Sequence, residues 1–269
     1  MAWNSIISSQ PGLGACPLFL NFEMSVTQKV IALWTAPRSI SSAFERTFSQ
    51  RKDTTTHFEP FFNVYHFSKW RQATRLGEHE RASEFSPAKS MEMVRAGDTP
   101  LSFFKEMAFI YLPYKDHDFL QGLTSTFLIR RPEFSLKGWL KMDQEPTEEM
   151  LGFKKLGELW RIITQEIKQD PIVVEASKFQ NDPAGTLKKY CEAVGIGFDP
   201  GMLSWEEKEH KTWDKELMTD ANWAKWQETL NQSTGILPAP KEIPEMPAKY
   251  DHLLAPAREV YEEISAHAI

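Results

Sequence analysis

The sequence predicts an α/β fold with a central parallel sheet of four or five strands and helices on both faces. Three observations point there. Short apolar runs rich in β-branched and aromatic residues recur at 29–34, 54–58, 100–104, 124–130 and 171–175, as buried strands do. The stretches between them carry helical spacing, most clearly at Phe153, Leu156, Trp160, Ile163 and Ile167, whose alternating intervals of three and four build one apolar stripe. Strands alternating with crossover helices return a helix to a sheet face each time, which makes the sheet parallel and covers both its sides.

In chain order, residues 1–28 read as an N-terminal extension, with Met24 as an alternative start. Leu13-Gly14-Ala15-Cys16 has the look of a lipoprotein cleavage box. No basic segment precedes it, and Ser8-Ser9-Gln10-Pro11 interrupts any apolar run, so secretion is not expected. Residues 29–269 read as a single domain. Its first strand runs into Trp34-Thr35-Ala36-Pro37-Arg38-Ser39-Ile40-Ser41-Ser42-Ala43, after which Phe44 and Phe48, four apart, anchor a helix on the sheet. Thr147 is placed to cap the helix of the Phe153 stripe, with Glu148 and Glu149 favourable in its first turn. Asp182-Pro183 opens another helix and Gly195 closes it; Leu187, Tyr190, Cys191 and Val194 share one core face. Pro238, Pro240, Pro244 and Pro247 hold the next stretch extended, and residues 252–266 form a last helix. Trp205, Trp213, Trp223 and Trp226 precede it and read as core or lid packing rather than a ligand platform.

Composition sets the functional limits. The 269 residues are 41% hydrophobic and 12% aromatic, enough to bury a real core. A net charge of −6 argues against broad binding to nucleic acid or to an anionic membrane, so an anionic ligand must meet a local basic cluster. Two cysteines, Cys16 and Cys191, make neither a disulfide framework nor a zinc site and fit a reducing, cytoplasmic setting. No stretch approaches the roughly 20 apolar residues of a membrane span.

The 34–43 stretch carries the chemistry. A loop leaving a buried parallel strand and entering a helix aims backbone N–H groups and the positive helix end at one point, which suits an anion. Arg38 adds a planar fork of donors, and Ser39, Ser41 and Ser42 add hydroxyls. An ordinary turn with Ser41 as N-cap is the competing reading. The loop contains no glycine, which fits poorly with hydrolysis of ATP or GTP, where two glycines and a Lys wrap the phosphates.

Further residues carry a resemblance: Ala36-Pro37-Arg38-Ser39-x-Ser41-Ser42-Ala43, Glu59-Pro60-Phe61, Lys105-x-Met107-Ala108, Phe127-Leu128-Ile129-Arg130-x-Pro132, Gly152-Phe153 and Tyr190-Cys191-x-Ala193-Val194-Gly195-Ile196. In order and spacing they resemble sulfotransferases that use 3′-phosphoadenosine 5′-phosphosulfate (PAPS), closest to the soluble microbial branch. The resemblance implies a P-loop-like three-layer sandwich and sulfuryl transfer to a hydroxyl or amine of a small molecule, with 3′,5′-ADP as product and no metal. It places the 5′-phosphosulfate on Arg38, Ser39, Ser41 and Ser42 and the 3′-phosphate on Arg130. Where relatives carry a serine eight residues after that arginine this chain has Gly138, which makes Ser135 the substitute.

Lys105 and Arg38 are the candidates to neutralise the leaving oxygen. Relatives often place a histidine two residues after the lysine; here Met107 stands there, leaving Glu59 as the leading candidate base, with His57 and Glu106 as others. Strand alternation would point His57 and Glu59 into one cleft. A structural Glu59 paired with Arg38 is the alternative. Glu175 is expected to brace the first loop. Phe61, Phe62, Tyr65, Phe67, Trp70 and Phe85 are expected around a small, partly polar acceptor. A phosphotransferase or other nucleotide enzyme on the same fold, and a non-catalytic nucleotide-binding relative, are the rival functions.

Overall fold

The computed structural model describes residues 28–73, 84–142, 145–207 and 223–269. The elements in order are β1 (Lys29–Thr35), α1 (Ser41–Phe48), β2 (Thr54–Phe58), α2 (Phe62–Phe67), α3 (Pro87–Met93), β3 (Leu101–Met107), α4 (Ala108–Tyr111), α5 (His117–Gln121) and β4 (Thr124–Ile129). They continue with α6 (Pro132–Leu140), α7 (Glu148–Leu151), α8 (Phe153–Arg161), β5 (Ile172–Glu175), α9 (Ala176–Asn181), α10 (Pro183–Ala193), α11 (Trp223–Asn231) and α12 (Asp251–Ser265).

The five strands form one parallel sheet in the order β2-β3-β1-β4-β5. β1 lies at the centre because Val30 to Thr35 are apolar or hydrogen-bonded on both faces and all buried. Side-chain alternation divides the core in two. Trp34, Phe104 and Phe127 face Tyr111, Leu156, Trp160 and Leu254, on the side covered by α4, α8 and α12. Ile31, Leu33, Phe103 and Leu128 face Phe44, Phe48, Phe179, Leu187 and Tyr190, from α1, α9 and α10. The predicted anchor holds: Phe48 stacks on Phe103 at 4.0 Å between ring centroids. Truncating such a buried ring costs about 3–5 kcal/mol.

Two local expectations need correction. Thr147 does cap a helix, accepting from Met150 N at 3.2 Å, but that helix is the one-turn α7. Gly152 at φ 71° then breaks the chain direction before α8, so the Phe153 stripe belongs to a separate helix that relaxes into a π turn at Ile162–Glu166. β3 runs to Met107, beyond the apolar run, because Lys105 and Glu106 find partners and stay buried. The last helix spans Asp251–Ser265 as expected, and Gly195 ends α10 at φ 70°. Trp205 is buried; Trp213 lies outside the described residues, as do the side chains of Trp223 and Trp226.

β3 and β2 lie on one side of β1 and β4 and β5 on the other, so the chain switches direction across the sheet at β1. Their exit loops part there and leave a crevice above the C-terminal strand ends, the usual ligand position in open parallel sheets. Among the described residues no helix is long and apolar enough to cross a membrane.

Candidate functional site

A cleft of about 530 Å³ opens at that crevice. Its floor is Pro37 to Ala43, with Glu59, Lys105 and Met107 from the ends of β2 and β3. Arg130, Phe134, Lys137, Gly138, Trp139 and Lys141 form one wall, and Gln180, Leu230 and the strap Gly235–Pro238 form another. Among the described residues five cations, Arg38, Lys105, Arg130, Lys137 and Lys141, line the cleft with one carboxylate, Glu59. An acidic protein thus holds an electropositive cleft, the local cluster that an anionic ligand requires.

The loop after β1 is strained in a specific way. Arg38 and Ile40 both take left-handed backbone, φ 61° and 60°, each at a cost of about 1–2 kcal/mol. Neighbours hold it there. Ser39 Oγ donates to Ala36 O at 2.6 Å, Thr35 Oγ1 to Leu128 O at 3.0 Å, and Arg130 Nη1 to Arg38 O at 3.1 Å. Gly152 sits against the loop: a Cβ there would come within 2.7 Å of Pro37 Cδ. Ile40, not Ser41, is the N-cap of α1, and no side chain caps that end. Ser41 and Ser42 therefore stand at the first turn of α1 facing the cleft, with unspent helical N–H groups beside them.

Arg38 and Arg130 converge. Burial lowers the pKa of Arg38; burial and then the charge of Arg38 lower Arg130 to about 10, partly offset by Glu175. Arg130 Nε is buried without a hydrogen-bond partner, and its guanidinium lies 5.0 Å from the Phe134 ring centroid. Two like charges held this close, with a donor unsatisfied, form a site that a multiply charged anion would relieve. The side chain of Arg38 packs over Gly138, where an added Cβ would meet Arg38 Nε at 3.1 Å. The glycine thus makes room for an arginine.

At the floor Lys105 donates to Glu59 Oε1 in an ion pair whose side chains are 3% and 2% exposed. Glu59 is thus paired with Lys105, where the alternative expected Arg38. Its own backbone is left-handed, φ 48°, and its N–H donates to Lys105 O at 2.9 Å.

Other expected residues go elsewhere. The left-handed turn at Glu59 breaks strand alternation, so His57 does not line the cleft; it feels Glu45 of α1, and burial lowers its pKa. Glu106 is fully buried on the opposite sheet face from Lys105 and does not line the cleft. Ser135 is fully buried in α6, its Oγ without a hydrogen-bond partner, and does not reach the cleft either. Glu175 caps α9 by accepting from Lys178 N at 2.9 Å and acts on Arg130 rather than on the first loop. Of the expected acceptor aromatics only Phe62 lines the cleft; Phe61, Tyr65 and Phe67 are core, and Trp70 is exposed.

Sequence reasoning missed Lys137 and Lys141, although two lysines one turn apart on one helix face just after Arg130 were a usable signal. It also missed the strap. Arg46 donates to Leu230 O at 2.8 Å and Glu206 O at 2.9 Å, Trp205 Nε1 to Ser233 O at 2.8 Å, and Gln180 Nε2 to Leu237 O at 2.9 Å. These bonds read main-chain carbonyls, which leave no trace in residue identity.

Comparison with known proteins gives the family and the fold. A family model described as a sulfotransferase domain matches residues 28–268. Among solved structures, the sulfotransferase domain from the curacin biosynthetic pathway superposes with a TM-score of 0.50 at 13% identity, covering 88% of this chain and 98% of that one. Mouse sulfotransferase SULT7A1 complexed with PAP gives 0.51 at 12% identity, covering 89% of each chain. These likenesses concern the fold, the P-loop-like α/β arrangement of those enzymes. Branched-chain-amino-acid aminotransferase-like proteins 2 and 1 of Arabidopsis thaliana are each 26% identical over 243 residues, which is 89% of this chain. The chain spans 42% of the length of those relatives.

Proposed function

The chain belongs to the sulfotransferase domain family, and from that premise we propose that it transfers a sulfuryl group from PAPS to a hydroxyl or amine of a small molecule. One observation carries the reading. Arg38 and Arg130 converge at one end of an electropositive cleft whose floor holds the Glu59–Lys105 ion pair. Bound PAPS would supply an activated sulfuryl group and a phosphate leaving group. Arg130 would hold the 3′-phosphate, and Arg38 with the first turn of α1 the 5′ side.

The remaining work is positioning and charge. Glu59 accepts the proton of the acceptor as general base. Once protonated it no longer holds the charge of Lys105, whose ammonium is then available to the leaving oxygen. Base and electrophilic group thus exchange roles through one proton. Lys137, Lys141 and Phe62 line the space left for a small acceptor. We place the enzyme in the cytoplasm, where the buried thiol of Cys191 stays reduced. The chemistry needs no metal in this scheme, and among the described residues no three His, Cys, Asp or Glu gather. Activity should survive EDTA.

Thermal stabilisation by 3′,5′-ADP, PAPS, ATP and GTP tests the reading. Only the first two are expected to raise Tm, through a gain in unfolding free energy of RT ln(1 + [L]/Kd), about 2.7 kcal/mol at 100-fold excess over Kd. Stabilisation by ATP and GTP alone would favour a phosphotransferase. A second reading, a nucleotide-binding relative without turnover, is favoured by the prior engagement of Glu59 with Lys105. Binding of 3′,5′-ADP with no consumption of PAPS would select it.

A further inference from the structure

Glu106 is a carboxylate with no exposed surface, set one residue after the lysine of the site and on the other face of the sheet. Nothing in the proposed chemistry uses it. Its two oxygens are both engaged: Oε2 accepts from Phe61 N at 2.8 Å and Oε1 from Met107 N at 2.9 Å. Phe61 lies two residues beyond Glu59, and Met107 two beyond Lys105. These are the exit turns of β2 and β3, adjacent strands in which Phe58 pairs with Lys105. The first turn is strained, since Glu59 is left-handed at φ 48° and a bulky residue does not hold that conformation unaided.

We propose that Glu106 is a positioning residue that ties the two exit turns together from behind the sheet and so holds Glu59 against Lys105. The inference rests on the reading of Glu59 as base. A carboxylate suits the task because it alone offers acceptors on both oxygens, whereas an amide would turn a donor toward one of the two N–H groups.

Ionisable groups surround the clamp. Its carboxyl is faced by Glu59 from the turn after β2, by Lys105 from its own strand, and by Tyr114 from the turn at Leu112–Tyr114. Burial and then the Glu59 charge push the Glu106 pKa well above the ordinary carboxylate range, against the pull of the two N–H bonds and Lys105.

The test compares Glu106→Gln, Glu106→Asp, Glu59→Gln and wild type in three measurements: 3′,5′-ADP affinity, PAPS consumption with water as acceptor across pH, and amide hydrogen exchange. In the reaction water adds to sulfur, the S–O bond to the phosphate breaks, and 3′,5′-ADP, sulfate and a proton result. For Glu106→Gln the expected result is nucleotide affinity within about twofold of wild type and kcat lower by roughly 10- to 100-fold. Glu106→Asp is one methylene short of spanning both N–H groups, so its kcat should fall as well, again with nucleotide affinity kept. Wild-type turnover in Glu106→Gln, with Glu59→Gln slow, would overturn the clamp. Unchanged turnover in Glu59→Gln would instead remove the base reading. The clamp then stands or falls on the Phe61 and Met107 amides, expected to exchange as slowly as core strands in wild type and faster in folded Glu106 variants. Fast exchange of these amides in wild type would overturn it even if no variant folds.

Discussion

Arg130, at the end of β4, donates from Nη1 to the main-chain carbonyl of Arg38 over 3.1 Å, so one guanidinium both shapes the loop after β1 and faces the cation that the loop presents. Burial and the Arg38 charge lower Arg130 only to about 10, which leaves it cationic at neutral pH. Arg130→Ala should weaken 3′,5′-ADP by about 10- to 100-fold, since hydrogen bonds to charged groups contribute about 1.5–3 kcal/mol. Adenosine 5′-phosphosulfate, which lacks the 3′-phosphate, should lose much less. Calorimetric titration of both ligands checks this, and equal losses would refute the assignment.

Glu59→Gln keeps the shape and reach of the side chain but cannot take a proton. We expect 3′,5′-ADP affinity to stay near wild type while kcat falls on the order of 10²- to 10⁴-fold. Removing one partner of a buried ion pair costs about 3–5 kcal/mol, and the amide retains a hydrogen bond to Lys105, so the drop in stability should stay below that range. A parallel loss of nucleotide affinity would mark Glu59 as structural support.

Gly138→Ala adds a methyl group 3.1 Å from Arg38 Nε and 3.3 Å from Arg38 Cβ. The Arg38 Cβ is fixed by a left-handed backbone and cannot retreat freely. The variant should fold normally and bind 3′,5′-ADP about 10-fold more weakly, a fraction of the loss that a 1 Å misplacement can bring. Unchanged affinity would show that Arg38 holds no ligand.

His57 gives a pH signature. Its Nε2 is buried without a hydrogen-bond partner, and burial holds its folded pKa below 6.5, with Glu45 opposing. The unfolded chain then binds more protons, so stability present above pH 6.5 is lost as the pH falls through the folded value. His57→Gln should flatten that part of the Tm profile between pH 7 and 5 while leaving catalysis intact. An unaltered slope would show that the ring is solvated.

The strands were legible because apolar runs with β-branched residues have few other uses, and the anion loop was legible because Arg38 and its serines follow such a run. What stayed hidden depended on backbone conformation. Nothing in Phe58-Glu59-Pro60 announces the left-handed turn that turns Glu59 into the cleft and leaves His57 behind. Lys105 and Glu106 were both legible as site candidates, but not their separation: one is buried against Glu59 and the other, on the opposite sheet face, against two N–H groups. Gly138 could be seen to depart from the expected serine, but only the path of Arg38 across it explains why. Residues 1–27 and 74–83 lie outside the described residues, so the expected extension and part of the acceptor segment keep the standing of expectations.

Arg46 leaves one more consequence. It sits in α1, the helix that begins at the anion loop, and holds the carbonyls of Leu230, ahead of the strap, and of Glu206, while its guanidinium lies 5.3 Å from the centre of the Trp205 ring. The loop and the segment that leads into the strap therefore hang from the same short helix. In the proposed reaction a spent nucleotide would leave past both, and its dwell time would depend on a residue outside the cleft. Replacing Arg46 by Leu should shorten that dwell time, faster release appearing in stopped-flow traces while the association rate stays the same.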